Sequence, residues 1–248
     1  MAGKRKKEHH FDSMLIDEPI QRQRTDKFID PSKLKIDFKC KNKTQKDFVN
    51  LIENNQIVLS NGLAGVGKSY LSIAKSLQFL KEERYKKICI ITPAIESEEK
   101  LGFLPGDLLE KLQPYLYSTY YLIDKLIGKP NRLLLMQNDY IEPISLGFLR
   151  GVNIDDAVLI FEEAQNCTKR SMKTLLTRIG FNSKFIISGD LDQIDNDKIR
   201  KKSESGLYHA IKALSNKPDV GVIEFTKDDE IVRNPLIAMI LKSFDEIV

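Results

Sequence analysis

The sequence predicts an α/β fold, with a parallel β-sheet covered on both faces by helices. Three observations carry that expectation. Short apolar runs alternate with longer segments whose apolar residues recur at helical spacing. A glycine-rich stretch separates the first such run from the first long helix, and a later run ends in a pair of acids. Strands alternating with helices in this way belong to parallel sheets, because each crossover lays a helix on a sheet face.

Taken in order, residues 1–42 are sparse in apolar side chains and rich in charge, and read as a basic, flexible arm ahead of one domain at 43–248. DFVNLIENN reads as a helix, and QIVLSN at 56–61 as a short buried strand ending in a glycine-rich turn. A helix follows from Lys68 to about Lys81, with Leu71, Ile73, Ala74, Leu77 and Leu80 at helical spacing. KICIITPA at 87–94 is the next strand, closed by Pro93. LLEKLQPYLYSTYYLIDKLIG is helical, with Pro114 expected to break it or to mark a first turn. AVLIF at 157–161 is a buried strand, MKTLLTRIG a helix, KFIISGD at 184–190 a strand and SGLYHAIKALSN a helix. GVIEF at 221–225 is the last strand and PLIAMILKSFDEIV the last helix.

Composition excludes several classes. Of 248 residues, 42% are hydrophobic, enough to exclude a wholly disordered chain. No apolar run approaches the ~18 residues of a membrane helix, and the basic N-terminus lacks the apolar core of a secretory signal. Cys40, Cys89 and Cys167 are too few and too scattered for a disulfide framework or a zinc site, and read as reduced thiols of a cytoplasmic protein. The formal charge of +4 is uneven, with 13 Lys+Arg against 8 Asp+Glu in the first 50 residues and 26 against 27 in the rest. KRKK at 4–7 could attract a polyanion or could be a solvated tail. Charge alone does not make this a nucleic-acid binder.

The chemistry sits in two motifs. GLAGVGKS at 62–69 fits G-x-x-x-x-G-K-[ST], the phosphate-binding P-loop, and has the strand before it and the helix after it that such a loop needs. Gly62, Leu63, Ala64, Gly65, Val66 and Gly67 would curl so that backbone N–H groups face the phosphates at a helix N-terminus. Lys68 would reach the β- and γ-phosphates, Ser69 would bind Mg²⁺, and Tyr70 completes the helix opening. The second motif is DAVLIFEEAQN at 156–166, an apolar strand that delivers acids to the same sheet edge. There Glu162 would hold the Mg²⁺ shell and Glu163 would act as the base that orients the attacking water.

EEAQ resembles the D-E-A-Q motif of superfamily 1 helicases, and SGDLDQ at 188–193 resembles their G-D-x-x-Q motif. By that resemblance Gln193 contacts the γ-phosphate and Asp190 couples the nucleotide to nucleic acid. KTQKDFVNLIENNQIVLSNG is similar to the segment in which a glutamine reads the adenine edge, which points to Gln45. TPAIESEEKLGFLPGDLLEKLQPYL, IEPISLGFLRG, SGLYHAI and DDEIVRNPL, in that order with the motifs, extend the resemblance to the PhoH-like family over about residues 40–245. It implies a single RecA-like P-loop NTPase lobe and an ATPase acting with Mg²⁺ on RNA or single-stranded DNA, helicase-like in character. A homo-oligomer, in the family's case a hexamer, is implied too, with Arg233 of IVRNP as an arginine finger and Arg178 and Arg150 as rivals. This chain departs from the family pattern in one place: Glu162 stands where the usual residue is Asp.

Weaker candidates remain open. Tyr115, Tyr117, Tyr120 and Tyr121 could stack on single-stranded bases or fill a core. His9, His10 and His209 make no metal set. A nucleotide-dependent switch with slow hydrolysis and a P-loop kinase are the competing functions, the kinase needing neither E-E-A-Q nor G-D-x-x-Q.

Overall fold

The computed structural model describes residues 27–92, 108–149 and 151–225, together with positions 236, 239 and 243. The 4–7 basic run, Pro93, Arg150, Arg233, His9, His10 and all but three positions of the last expected helix lie outside these residues.

Among the described residues, six strands form one sheet, parallel throughout: β1 (Ile57–Gly62), β2 (Lys87–Thr92), β3 (Ile141–Ser145), β4 (Ala157–Phe161), β5 (Lys184–Gly189) and β6 (Val220–Phe225). Their order across the sheet is β3-β2-β4-β5-β1-β6. Every residue of β4 and β5 is buried, as central strands with both faces covered require. Side chains alternate between two cores. Leu59, Leu159, Phe161, Phe185 and Ile187 point into one. Val58, Val158, Ile160 and Ile186 point the other way.

Among the described residues, the sheet is flanked by α1 (Lys43–Asn54), α2 (Lys68–Lys81), α3 (Leu108–Ile127), α4 (Lys129–Gln137), α5 (Lys169–Leu176) and α6 (Gly206–Leu214). The first core is closed by Met172 and Leu175 of α5 and by Leu207 and Ala210 of α6. On the other face lie Phe48 and Ile52 of α1, Leu71 and Leu77 of α2, Leu116 and Ile123 of α3, and Leu135 of α4. The expected α/β sheet is therefore present, with helices on both faces.

Three departures have physical reasons. β3 was not legible as a strand because IEPIS carries Pro143, which cannot donate to a ladder. It survives because β3 is an edge strand paired with β2 alone, Pro143 opposite Ile90. α3 runs unbroken through position 114, since Leu112, Leu116, Tyr120 and Ile123 hold one continuous buried stripe on either side of it. The chain then turns at Gly128 (φ 83°) into α4, whose Arg132 is clamped by Asp124 at 2.6 and 3.1 Å and lies 4.5 Å over the Tyr120 ring.

Part of the segment read as an arm is packed. Ile29, Pro31 and Leu34 are buried, Asp30 caps the 3₁₀ turn Pro31–Lys33, and Asn138 of the α4 C-cap donates to the Lys27 carbonyl. Much of the N-terminal basic excess lies here: residues 27–50 hold seven Lys against three Asp.

Candidate nucleotide site

In a parallel sheet all strands end at one edge, and the functional motifs gather there. β5 lies between β1 and β4. In register, Leu59 pairs with Ile187 and Phe161 also pairs with Ile187, so the three strand ends come out together. The glycine-rich loop follows β1, the acids follow β4, and Asp190 and Gln193 follow β5 between them. One cavity of about 820 Å³ is lined by residues from all three.

The loop has the shape its glycines allow. Gly62, Gly65 and Gly67 take φ of 134°, 89° and 97°. Gly62 is obligatory for a second reason: a Cβ there would lie 2.2 Å from the Phe225 carbonyl oxygen of β6. Gly67 is the N-cap of α2 and offers no side-chain cap, so the first N–H groups of α2 are not met by a capping side chain. Lys68, only 9% exposed, donates to the Leu63 carbonyl at 2.9 Å and to the Gly62 carbonyl. Its ammonium is thereby held over the loop.

Glu162 is half-buried beside the start of α2. The Ser69 hydroxyl hydrogen-bonds its carboxylate, and Thr119 of α3 donates to Oε2 at 3.4 Å. Burial pushes this carboxyl above its ordinary range, and the neighbouring Glu163 charge pushes the same way. Oε1 is buried without a hydrogen-bond partner. An orphaned carboxylate oxygen beside a hydroxyl, lining a cavity, suits a hard divalent cation completed by water and phosphate. Among the described residues no cluster of three or more His, Cys, Asp or Glu could hold a metal alone. A cation here would therefore need the phosphates as ligands.

Glu163 is exposed, with a left-handed backbone (φ 54°, ψ 34°) that turns the chain sharply after β4. Gln165, which sequence reasoning did not assign, is fully buried and joins the pieces. Its Nε2 donates to Glu163 Oε2 at 2.7 Å and to the Gln193 carbonyl at 3.0 Å, while its Oε1 accepts from Asp190 N at 3.1 Å. Asn61 does a similar job at the end of β1, accepting from Leu191 N at 3.0 Å. Both are polar residues at strand ends, a weak sequence signal shared with ordinary caps. Asp190 is buried, with Oδ1 turned onto Asp192 N and Oδ2 unpartnered. Burial raises its carboxyl.

The remaining candidates scatter. Gln45 lines the cavity, but its side-chain amide donates to the Val66 carbonyl and accepts from Lys41 N, both at 2.7 Å. Arg178 sits after α5, where its backbone bonds Ile154 ahead of β4, at the sheet edge opposite the cavity. Tyr120 is core. Tyr115, Tyr117 and Tyr121 are exposed, and the last two line the cavity.

No helix among the described residues is long and apolar enough to cross a membrane. The family model for PhoH-like protein matches residues 37–245. A PhoH-like protein of Bacillus subtilis (strain 168) is 42% identical over 202 residues, which is 82% of this chain and 62% of that one. One from Mycobacterium leprae (strain TN) is 39% identical over 202 residues, 82% of this chain and 57% of that one. Protein PhoH of Escherichia coli (strain K12) is 32% identical over 207 residues, 83% of this chain and 57% of that one. The chain thus spans about three-fifths of the length of these relatives. A family model covering residues 37–245, on a parallel α/β sheet with a P-loop at its edge, establishes that the chain belongs to the PhoH-like protein family.

Proposed function

We propose that this protein binds ATP with Mg²⁺ and hydrolyses it, and that hydrolysis is coupled to RNA or single-stranded DNA in a helicase- or translocase-like cycle. One observation carries the reading: loop, acid pair and Gln193 strand converge on a single cavity with β5 inserted between the other two. A phosphate-binding turn alone needs no such convergence.

In this reading the backbone N–H groups of residues 62–67 and the opening of α2 bind the phosphate chain. Lys68 leaves the Gly62 and Leu63 carbonyls for the β- and γ-oxygens. Ser69 and Glu162 hold the Mg²⁺, which supplies charge neutralisation on those oxygens. Glu163 orients the attacking water and accepts its proton on a carboxylate that Gln165 aims. Gln193, tied through its carbonyl to the same Gln165, distinguishes a bound γ-phosphate from its absence. The chemical products are ADP and phosphate. The arginine that would neutralise the transferred group comes from a neighbouring copy, in a homo-oligomer for which the family resemblance implies a hexameric ring.

The switch with slow hydrolysis is the second reading, favoured by Glu162 in the usual Asp position and by an exposed, left-handed Glu163. Steady-state phosphate release with and without RNA or single-stranded DNA separates the two. Stimulation of tenfold or more is expected for the coupled ATPase. Lys68→Ala should abolish turnover, and hydrolysis surviving in that variant would remove the assignment.

A further inference from the structure

The cavity extends past the phosphate loop. Beyond Lys68 and Ser69 its lining comes from two segments: Phe38, Lys39 and Lys41 ahead of α1, and Tyr121, Leu122 and Lys125 on α3, with Tyr70 at the start of α2. Tyr121 is 60% exposed there. Its partner one turn earlier, Tyr117, lines the cavity too. Aromatic faces beside lysines suit a flat π-system attached to phosphates, since stacking needs no particular hydrogen-bond pattern.

The residue that resemblance assigns to reading the base is otherwise engaged. Gln45 is only 2% exposed. Its amide spans two segments of the site, accepting from Lys41 N and donating to the Val66 carbonyl of the phosphate loop. Its own N–H is taken by the Asn42 cap. An amide bonded at both ends and almost wholly buried at the cavity wall acts as a brace. It ties the segment that enters α1 to the loop that must hold its curl. One N–H and one lone pair of that amide are left for a base edge, and at 2% exposure they are poorly placed to meet one.

We propose that the base of the bound nucleoside triphosphate stacks against Tyr121 in this chamber and is selected by stacking rather than by Gln45, so that ATP and GTP are both substrates. The proposal rests on the nucleotide reading of the cavity and deepens it. Purines, with larger faces, bind better than pyrimidines. Gln45 is a positioning residue: it holds the phosphate loop for every nucleotide alike.

The test is calorimetric titration of the full chain with Mg·ADP, Mg·GDP and Mg·CDP, alongside initial rates with the triphosphates. Expected are ADP and GDP affinities within about tenfold of each other and weaker CDP binding. Tyr121→Ala should weaken both purines roughly tenfold or more, the usual effect of losing a base-stacking aromatic, and Tyr121→Phe should restore them. Gln45→Ala should lower the affinities for ADP and GDP by one common factor. It should also lower the unfolding temperature without nucleotide, an effect a base reader would not produce. The proposal falls if ADP is preferred over GDP by more than a hundredfold and Gln45→Ala erases that preference. It falls equally if Tyr121→Ala binds both purines as the wild type does. Should none of the nucleotides bind the wild-type chain, as none is expected to bind Lys68→Ala, the nucleotide reading itself fails along with the proposal.

Discussion

At the scale of single residues, the candidate site sets an exposed acid against a half-buried one. Glu162 is held by Ser69 and Thr119, while exposed Glu163 depends on Gln165 for its aim. If Glu163 is the proposed base, removing it and removing its brace should differ in degree. Glu163→Gln should bind ATP yet hydrolyse it at least ~10²-fold more slowly, the usual contribution of a general base. Gln165→Ala keeps the carboxylate but frees it, and also releases Asp190 N and the Gln193 carbonyl. A smaller loss of kcat is expected, with nucleotide affinity little changed. Single-turnover rates and ADP titrations on the two variants check this, and an undiminished kcat in Glu163→Gln would move the base elsewhere. The residues named by motif were legible because spacing and flanking elements announce them: Gly65, Gly67, Lys68, Ser69, Glu162 and Glu163 all line the cavity. Gln165 was not. Two of its three hydrogen bonds reach residues 25 and 28 positions along the chain, which no local pattern reveals.

At the scale of elements, β5 joins the two ends of the molecule. Its C-terminal end carries the Asp190 turn. Its first residue, Lys184, is buried at the opposite sheet edge, where Nζ donates to the Ile52 carbonyl at 2.5 Å and to that of Asn55, closing the end of α1. Lys75, Arg84 and Lys184 surround the Phe79 ring, with Glu53 the acid that Lys75 and Arg84 pair with. Burial, then repulsion from Arg84, lowers the Lys184 ammonium to about 8 from 10.5. The sign follows from linkage: between pH 8 and 10.5 the unfolded chain binds more protons than the folded one, so stability rises with pH. Cys89, pushed up to about 12 from 9.0 by burial, acts in reverse. Cys40, raised from 9.0 by its own burial, opposes likewise, and unfolded thiols already ionise below pH 9. The Lys184 contribution of about 1 kcal/mol between pH 8 and 9 is therefore expected as the difference between wild type and Lys184→Met. Urea denaturation of both at the two pH values tests this. Lys184→Met, less stable or not, should lack that contribution. The sequence announced β5 as an apolar run, yet nothing in KFIISGD marks its lysine as buried. β3 and α4 escaped for a related reason: a proline inside an edge strand and a glycine between two helices are readable as breaks until tertiary pairing supplies their context.

At the scale of the whole molecule, the described residues bring lysines but not arginines to the cavity. Lys68, Lys39, Lys41 and Lys125 line the cavity, but no arginine does among the described residues. Arg178 lies at the far edge of strands that are six residues long, roughly 20 Å away. It cannot serve its own site without unfolding that edge. Arg233 lies outside the described residues. If, as proposed, the donor is another copy, it presents a surface different from the one it completes, so the contact would be head-to-tail and, where its rotation closes, would form a ring. Such a ring makes a specific prediction for mixtures. Lys68→Ala supplies arginines but no working loop; Arg233→Ala, or Arg178→Ala if that residue is the donor, supplies loops but no finger. Each variant alone should be inactive or nearly so. Mixed one to one and allowed to exchange, a site works when an arginine-variant loop faces a Lys68-variant neighbour, which random assembly provides at about a quarter of interfaces. Recovery of roughly that fraction of wild-type hydrolysis with one arginine variant identifies the donor and the geometry together. Activity that stays absent in every mixture, or a wild type whose specific activity is independent of dilution while it sediments as a monomer with ATP bound, would show that the site is complete within one chain.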